Sequence, residues 1–260
     1  MVGFRVGITA SVLFVIQAYR RRLWLAEKRD YFHLFVLSFL GVTFNQLLFI
    51  GGLSLTKASN TSLLAATIPV VTILVGAAIG SEKLKGIKAA GIVLSLIGVV
   101  ILIDPRKASF SSETTIGDLM IVLNSFSYGV YVALSKQVFT RNGAFRSMMW
   151  VFVFAAVFCV PLGGISFASI DAASIGSMTW AFIVYIAIAG TATPYLLNAW
   201  ALARVDPSTV AVFIYLQPLI GFVMAVIFLG EAVTMSFAFA AALIFAGLFL
   251  ATKRQLQRET

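Results

Sequence analysis

Long runs without a charged residue are the feature that most constrains how this chain can fold. One of them, SLLAATIPVVTILVGAAI, covers residues 62–79, and similar runs recur along the sequence. A helix needs about 20 mostly apolar residues to cross the roughly 30 Å hydrocarbon core of a bilayer. A strand of a membrane barrel would alternate apolar and polar positions, and these runs do not alternate. The runs therefore predict membrane-spanning α-helices.

The number of such runs indicates a multi-pass bundle. Of the 260 residues, 60% are hydrophobic and 11% are charged, whereas a soluble domain has about 25% charged residues. Nine candidate spans are each bounded by a charge, Gly, Pro or Asn. We predict an all-α membrane protein, a polytopic helical bundle of nine transmembrane helices. The spans are Val2–Tyr19, Tyr31–Leu53, Ser62–Ile79, Ile87–Ile103, Ile116–Ser135, Met148–Ile165, Trp180–Leu202, Ser208–Leu229 and Met235–Ala251.

The positive charges predict the orientation of these spans. Four of the nineteen cations, Arg5, Lys57, Arg106 and Lys107, fall on one side of the membrane, and the other fifteen fall opposite. The positive-inside rule makes the richer side cytoplasmic. We therefore expect a multi-pass protein of the plasma or inner membrane with a cytoplasmic C-terminus. A nucleic-acid partner would need a basic face on a soluble domain, and the sequence predicts none.

The chain also carries an internal repeat. PVVTILVGAAIGSE, from Pro69 to Glu82, is echoed by PLIGFVMAVIFLGE, from Pro218 to Glu231, at a separation of 149 positions. Counting spans places Glu82 at the cytoplasmic end of its helix and Glu231 at the outer end of its own, so the copies run in opposite directions. Inverted repeats are typical of transporters, which place the substrate near the bilayer midplane where the halves meet.

The two halves predicted in this way are unequal. The first comprises residues 1–104 with four spans, and the second comprises residues 116–252 with five. A parent with five spans in each half would have one further helix before Val2. We therefore expect that the first helix of the pattern is missing from this sequence.

Several segments carry a resemblance to a known family. GGLSLTKASNTSLLAATIPVVTILVGAAIGSEKLKGIKAAGIVLSLIGVVILI and its echo WALARVDPSTVAVFIYLQPLIGFVMAVIFLGEAVTMSFAFAAALIFAGLFLATK resemble EamA-type members of the drug/metabolite transporter superfamily. GDLMIVLNSFSYGVYVALSKQV is similar to the sixth helix of that family, and FRVGITASVLF to its second. The resemblance implies ten helices in two inverted EamA repeats, at 1–104 and 116–252, and a role in transporting small molecules.

Neutral polar and aromatic residues reach the interior of several spans. Asn124, Tyr128 and Tyr131 follow one another at i, i+4 and i+7, which places them on one face of a helix. Such groups can line a cavity and bind a polar or zwitterionic metabolite, or they can join helices to one another. We predict a substrate site formed by Asn45, Gln46, Asn124, Tyr128, Tyr131, Tyr195, Asn198, Tyr215 and Gln217.

Prolines lie within several spans, and a glutamate follows each of the two repeated helices. Pro69, Pro194 and Pro218 each remove an intrahelical hydrogen bond, and they are interpreted either as hinges for alternating access or as static kinks. Glu82 and Glu231 follow their helices directly. We expect these two carboxylates to be structural, because a carboxylate at a helix junction can accept from the first amides of the next helix.

The positions of the ionisable residues exclude or disfavour several classes of function. None of the ten Asp and Glu residues lies near the middle of a span, which argues against an intramembrane enzyme and against a proton relay, with Asp118 the nearest candidate. No cation lies there either, so a nucleotide-sugar or organic-anion carrier is less favoured. His33 and Cys159 are the only residues of their types, so we predict no metal, cofactor or internal disulfide.

Three hypotheses remain at this point. The favoured one is a transporter, exporting small metabolites such as amino acids or amphiphilic drugs. An intramembrane enzyme is disfavoured, and the expected absence of a first helix keeps open a truncated or inactive fragment. The sequence leaves the substrate, the direction of transport, the energy coupling and the oligomeric state undetermined.

Overall fold

The chain folds into membrane helices, as the sequence predicts. The computed structural model describes residues 2–83, 85–104, 106, 111, 113–167, 176–229 and 235–256. Within these residues, nine helices are long and apolar enough to cross a membrane, so the predicted all-α polytopic bundle is confirmed. They are α1 (Val2–Tyr19), α2 (Lys28–Leu55), α3 (Ala58–Ala78), α4 (Gly86–Ile103), α5 (Thr115–Asn142), α6 (Ala144–Ile165), α7 (Ser177–Leu202), α8 (Pro207–Phe228) and α9 (Met235–Thr252).

The largest difference from the predicted spans is at the end of α5. The predicted span stops at Ser135, whereas the helix continues to Asn142. The residues between them, KQVFTRN, contain polar groups but no helix breaker, and polarity ends a membrane span without ending a helix. The helix stops where Gly143 adopts φ +79°, the left-handed conformation that commonly follows a helix C-terminus.

Four of the helices contain an irregular turn. α2 and α7 each include one π-helical turn, and α3 and α8 are interrupted near their middles. In α3 the break lies between Ala58–Ala65 and Ile68–Ala78. The π turns are Phe39–Thr43 and Ile188–Ala192, and the interruption in α8 is the 3₁₀ turn Phe213–Tyr215.

The helices form two compact units. Unit 1 consists of Met1–Gln46 and Ser135–Arg204, and unit 2 of Leu47–Leu134 and Val205–Thr260. Each unit takes helices from both predicted halves, and α2 and α5 contribute to both units. The compact units are therefore a different division of the chain from the predicted repeats, whose boundaries at 104 and 116 stay a prediction.

Unit 1 is built around close packing of α1 on α6. A Cβ on Gly3 would lie 2.7 Å from the carbonyl oxygen of Cys159, so only glycine allows this approach. Further along α1, the Thr9 hydroxyl donates to the Ala187 carbonyl of α7 at 3.0 Å. Small residues and interhelical hydrogen bonds of this kind hold membrane helices together where the hydrophobic effect cannot.

Unit 2 is built around the antiparallel pair α4 and α9. A Cβ on Gly91 would lie 2.6 Å from the carbonyl oxygen of Gly247, and one on Gly98 would lie 2.8 Å from that of Ala240. Between these contacts, the Ser95 hydroxyl donates to the Ile244 carbonyl at 3.2 Å. An early residue of α4 thus meets a late residue of α9, with the two backbones in contact.

A buried polar cluster joins the start of α8 to the segment before α4. Glu82 accepts hydrogen bonds from the Ser208 amide at 3.2 Å and from the Ser208 hydroxyl. Lys88 forms ion pairs with Glu82 and, at 3.2 Å, with Asp206. The expected structural role of Glu82 therefore involves the amide of a helix distant in sequence, not that of the next helix. Glu231 lies outside the described residues.

Asp118 forms a second polar cluster, at the start of α5. Its carboxylate accepts from the Thr56 hydroxyl, from the Asn60 amide at 3.0 Å and from the Thr114 hydroxyl at 2.9 Å. These bonds tie the start of α5 to the start of α3. The hydrogen bonds give Asp118 a structural role, which accounts for a carboxylate near a membrane helix end without a proton relay.

Candidate functional site

Unit 2 contains a cavity lined by the breaks in α3 and α8. Its volume is about 320 Å³, which suits a ligand the size of an amino acid or somewhat larger. Among the described residues, its wall contains apolar and neutral polar side chains and no charged one. The lining residues are Phe49, Thr61, Ser62, Ala65, Ala66, Val99, Ile214, Tyr215, Gln217, Pro218 and Gly221.

Two prolines explain why the helices are interrupted at the cavity. Pro69 and Pro218 have no N–H, so the carbonyls four residues earlier, on Ala65 and Ile214, lose their α-helical donors. Both of these residues line the cavity. Irregular backbone at membrane depth is tolerated where it lines a cavity or is buried in protein. Each break is also close to the middle of its helix, which is where transporters bind their substrates.

Tyr215 supplies a free hydrogen-bonding group at this cavity. Its side chain is 1% exposed, and its hydroxyl has no hydrogen-bond partner within the described part of the chain. Leaving a buried hydroxyl unsatisfied costs about 1–3 kcal/mol. A polar ligand that reached this hydroxyl from the cavity would remove the cost, which makes Tyr215 a candidate for recognising one.

The predicted polar face of α5 is largely buried. Asn124 is 3% exposed and Tyr131 is fully buried, and the rings of Tyr128 and Tyr131 lie 5.5 Å apart. On the same helix, the Ser125 hydroxyl donates to the Leu64 carbonyl of α3 at 3.2 Å. None of these residues lines the 320 Å³ cavity. Their part in a substrate site stays a prediction.

Unit 1 gathers further polar groups around its two π turns. The Tyr195 hydroxyl donates to the Gly41 carbonyl in the π turn of α2 at 3.1 Å, and Gln46 also forms a side-chain hydrogen bond with Tyr195. Arg5 donates from Nε to the Thr191 hydroxyl, in the π turn of α7, at 3.0 Å. A π turn exposes backbone carbonyls that a regular helix would use internally, and such turns are frequent at functional sites.

The other predicted residues occupy varied environments. Asn198 in α7 has a buried amide oxygen without a hydrogen-bond partner among the described residues, and Asn45 is half-buried. Gln217 lines the unit 2 cavity with a largely exposed side chain. Of the predicted hinges, Pro69 is buried at the start of the second part of α3, whereas Pro194 is exposed directly after the π turn of α7.

Sequence reasoning missed several residues of these sites. Thr61 and Ser62 line the cavity, and neither is among the substrate-site residues predicted from the sequence. Arg5 entered the sequence analysis only as one of the four cations on the less positive side of the membrane. Its partner Thr191 is 186 positions away, and no local signal connects the two residues.

The described residues were compared with the requirements of a metal site. No group of three His, Cys, Asp or Glu side chains comes together there in a way that could hold an ion. The groups available for ligand binding are therefore hydroxyls, amides, carbonyls and aromatic rings. These groups bind small molecules by hydrogen bonding and by apolar contact.

Membrane-spanning helices and an uncharged cavity at mid-helix breaks are typical of small-molecule transporters. The model of the EamA-like transporter family matches residues 1–104 and 115–253. The chain therefore belongs to the EamA-like transporter family and is a multi-pass membrane transporter by descent.

Individual relatives agree with this assignment. The chain is 28% identical to an "Uncharacterized transporter" of Archaeoglobus fulgidus, over 98% of this chain and 87% of that protein. It is 27% identical to a "Probable amino-acid metabolite efflux pump" of Salmonella typhimurium, over 69% of this chain and 62% of that protein. A crystal structure that covers this whole chain and 88% of its own, at 21% identity, has a TM-score of 0.78 and supports the fold alone.

Proposed function

We propose that this protein exports small neutral or zwitterionic molecules with an apolar part, such as amino acids, related metabolites or amphiphilic drugs. The cavity in unit 2 carries this proposal, because its lining is uncharged and its one free buried hydroxyl belongs to Tyr215 among the described residues. A charged substrate would lose its hydration in such a cavity without a compensating ion. A neutral molecule would lose much less, and in a zwitterion the two opposite charges partly compensate each other.

Alternating access between two inverted repeats is the proposed mechanism. The π turns at Phe39–Thr43 and Ile188–Ala192 are 149 positions apart, as are Pro69 and Pro218 beside the two breaks. The Ser95 hydroxyl also meets the carbonyl of Ile244, the residue 149 positions later. Equivalent positions in contact across an antiparallel helix pair are expected at a pseudo-two-fold axis, and this supports inverted repeats.

The direction of transport and the membrane are inferred from one relative and from the distribution of charge. The Salmonella relative is named as an efflux pump, and the distribution of positive charge favours a cytoplasmic C-terminus in the plasma or inner membrane. We therefore assign export across the cell membrane. The remaining predicted residues, Asn45, Gln46, Asn124, Tyr128, Tyr131, Tyr195 and Asn198, are proposed to contribute to the substrate path.

An organic-anion carrier is the second candidate. Arg5 is the observation that favours it, because this half-buried cation lies within α1 and forms a hydrogen bond with Thr191. Charged residues inside membrane helices commonly mark a substrate pathway. The cavity in unit 2 favours the first candidate, since an anion would find no cation in its lining.

A transport assay in proteoliposomes distinguishes the two candidates. The purified protein would be reconstituted, and exchange of radiolabelled neutral, anionic and cationic amino acids would be measured across the bilayer. We expect neutral substrates with apolar side chains to exchange well above protein-free liposomes. Faster exchange of anionic amino acids or nucleotide sugars would instead favour the anion carrier, and exchange of none of them would contradict the proposed substrates.

Tyr215→Phe tests whether the free hydroxyl binds substrate. We expect KM to rise about two- to tenfold, the effect of losing one neutral hydrogen bond. Thermal stability should be unchanged or slightly higher, because the hydroxyl has no partner within the described chain. Tyr185→Phe is the matched control, since Tyr185 is 66% exposed. Equal KM values for both variants and the wild type would remove Tyr215 from the site.

Pro218→Ala tests the proposed hinge. Alanine restores an amide that can bond to the Ile214 carbonyl, which favours a continuous α8. We expect the maximal rate of exchange to fall several-fold while the protein stays folded, because a straighter helix would move less readily between two states. Pro161→Ala, within α6, removes a proline outside the cavity lining and should leave the rate unchanged. A normal rate for Pro218→Ala would indicate a static kink.

A further inference from the structure

Unit 1 contains another cavity, and its lining is positively charged, unlike that of the cavity in unit 2. It is a cleft of about 450 Å³ whose walls include four arginines, Arg20, Arg22, Arg146 and Arg204, and no acidic side chain from the described segments. It lies where α1, α5 and α7 end and α6 begins. This end of the helices is the side that the positive-inside rule assigns to the cytoplasm.

The four arginines have no carboxylate partner within the described part of the chain. The contrast with Arg141 is informative, because that side chain pairs with both Glu27 and Asp30 at the same end of unit 1. The acidic groups of this region thus neutralise an arginine outside the cleft. The positive charge inside the cleft is left for a ligand.

The arginine side chains of the cleft are held in place by neutral groups. Arg204 lies 4.2 Å from the centre of the Trp200 ring and donates to the Trp200 carbonyl at 3.0 Å. Arg20 lies 5.5 Å from the centre of the Phe145 ring. Stacking on aromatic rings orients a guanidinium while leaving most of its five N–H donors available.

Arg146 supplies a buried donor without a partner. One of its terminal nitrogens donates to the Trp24 carbonyl at 3.0 Å, which fixes the side chain. Its Nε is buried and forms no hydrogen bond with any described residue. A buried N–H of a charged group is costly to leave unsatisfied, so an acceptor that reached this N–H from the cleft would be favoured.

The start of α6 adds backbone donors to the same place. Ala144, Phe145 and Arg146 line the cleft, and they form the first turn of α6. Amides in a first turn have no acceptor within the helix. Together with the positive end of the helix dipole, they favour binding of an anion, above all a phosphate.

The geometry points to a binding site for a phosphate ester in this cleft. Guanidinium groups bind the oxygens of phosphate through paired hydrogen bonds, and the cleft offers four of them beside a helix N-terminus. The ester can be the head group of an anionic phospholipid or a soluble phosphorylated molecule. Trp24, 76% exposed, and Tyr19, 91% exposed, lie near the cleft in sequence, and exposed aromatics of this kind are enriched at the level of lipid head groups.

Binding measurements on the purified full-length protein test this site. Native mass spectrometry would count retained phosphatidylglycerol against phosphatidylcholine, and thermal stability would be compared in sodium phosphate and in sodium chloride at equal ionic strength. Selective retention of phosphatidylglycerol supports a lipid head group. Stabilisation by millimolar phosphate, with displacement of the lipid, supports a soluble ester. If the wild-type protein shows neither selective retention of phosphatidylglycerol nor stabilisation by phosphate, the proposal is wrong.

Substitutions locate the site. We expect Arg20→Gln, Arg146→Gln and Arg204→Gln each to weaken binding about tenfold, as for loss of a charged hydrogen bond. Arg29→Gln is the matched control, because Arg29 is exposed, carries the same charge and does not line the cleft. An equal loss in Arg29→Gln would show general charge attraction and would contradict a defined site. If a glutamine variant does not fold, the matching lysine variant keeps the charge and should still bind more weakly, since lysine lacks the paired donors.

Discussion

Replacing Gly247 by valine is expected to prevent α4 and α9 from packing and to give the largest loss of stability among single substitutions in unit 2. A Cβ at this position would lie 2.3 Å from the Ser95 hydroxyl oxygen and 2.5 Å from the Gly91 carbonyl oxygen. The second contact is with backbone, which cannot rotate away. The helices would have to separate, and the Ser95 bond to Ile244 would be lost with them.

The expected loss of stability in Gly247→Val follows from the free-energy cost of overpacking. Inserting extra groups into a packed interior costs about 1–3 kcal/mol and sometimes more, and backbone contact places this case at the upper end. At about 2–4 °C per kcal/mol for chains of up to 250 residues, the melting temperature in detergent should fall by about 10 °C. The melting temperature of Gly247→Ala should lie between those of the wild type and the valine variant. The measurement is the monodisperse fraction left after heating.

Gly164→Val is the matched control for this experiment. It makes the same chemical change in a membrane helix, but a Cβ at Gly164 would have no neighbour within 4 Å among the described atoms. Its stability should stay close to that of the wild type. Equal losses at Gly164 and Gly247 would mean that valine disturbs any of these helices, and that the contact between α4 and α9 is not the cause.

Glu82→Leu should have the second large effect. Glu82 is a buried anion, with a side chain 2% exposed, and it accepts from Lys88 and from the amide and hydroxyl of Ser208. Without it, a buried ammonium group and a helix-end amide would lose their main acceptor. Removing one partner of a buried ion pair costs about 3–5 kcal/mol, so we again expect a fall of about 10 °C in detergent.

A double variant separates the ion pair from packing. Glu82→Leu combined with Lys88→Met replaces both charges by apolar groups, and such replacements are often neutral. We therefore expect it to recover much of the stability lost by Glu82→Leu. Glu27→Gln is the control for an exposed pair, since the Glu27 side chain is 51% exposed beside Arg141 and surface pairs contribute at most about 1 kcal/mol. No recovery in the double variant would contradict the role assigned to the buried pair.

The helices and the family could be predicted from local features of the chain. The spans follow from hydropathy, because a segment without charges can enter lipid whatever the rest of the chain does. The repeat drew attention to Pro69, Pro218 and Glu82, and the first two do mark mid-helix breaks. Two of the predicted substrate-site residues, Tyr215 and Gln217, line the cavity in unit 2, whereas Asn124 and Tyr131 do not. The sequence did not distinguish these two groups.

The sequence by itself determined that this protein is an all-α, multi-pass membrane protein of a transporter family, because the free energy of placing a segment in lipid depends mainly on that segment. Only the tertiary structure decided which polar groups meet. Ser208 lies 126 positions from the Glu82 carboxylate that it binds, and Arg5 lies 186 positions from Thr191. Hydrogen bonds act over about 3 Å, so the choice of partner depends on how the helices pack. The cavity, the free Tyr215 hydroxyl and the arginine cleft depend on the same packing.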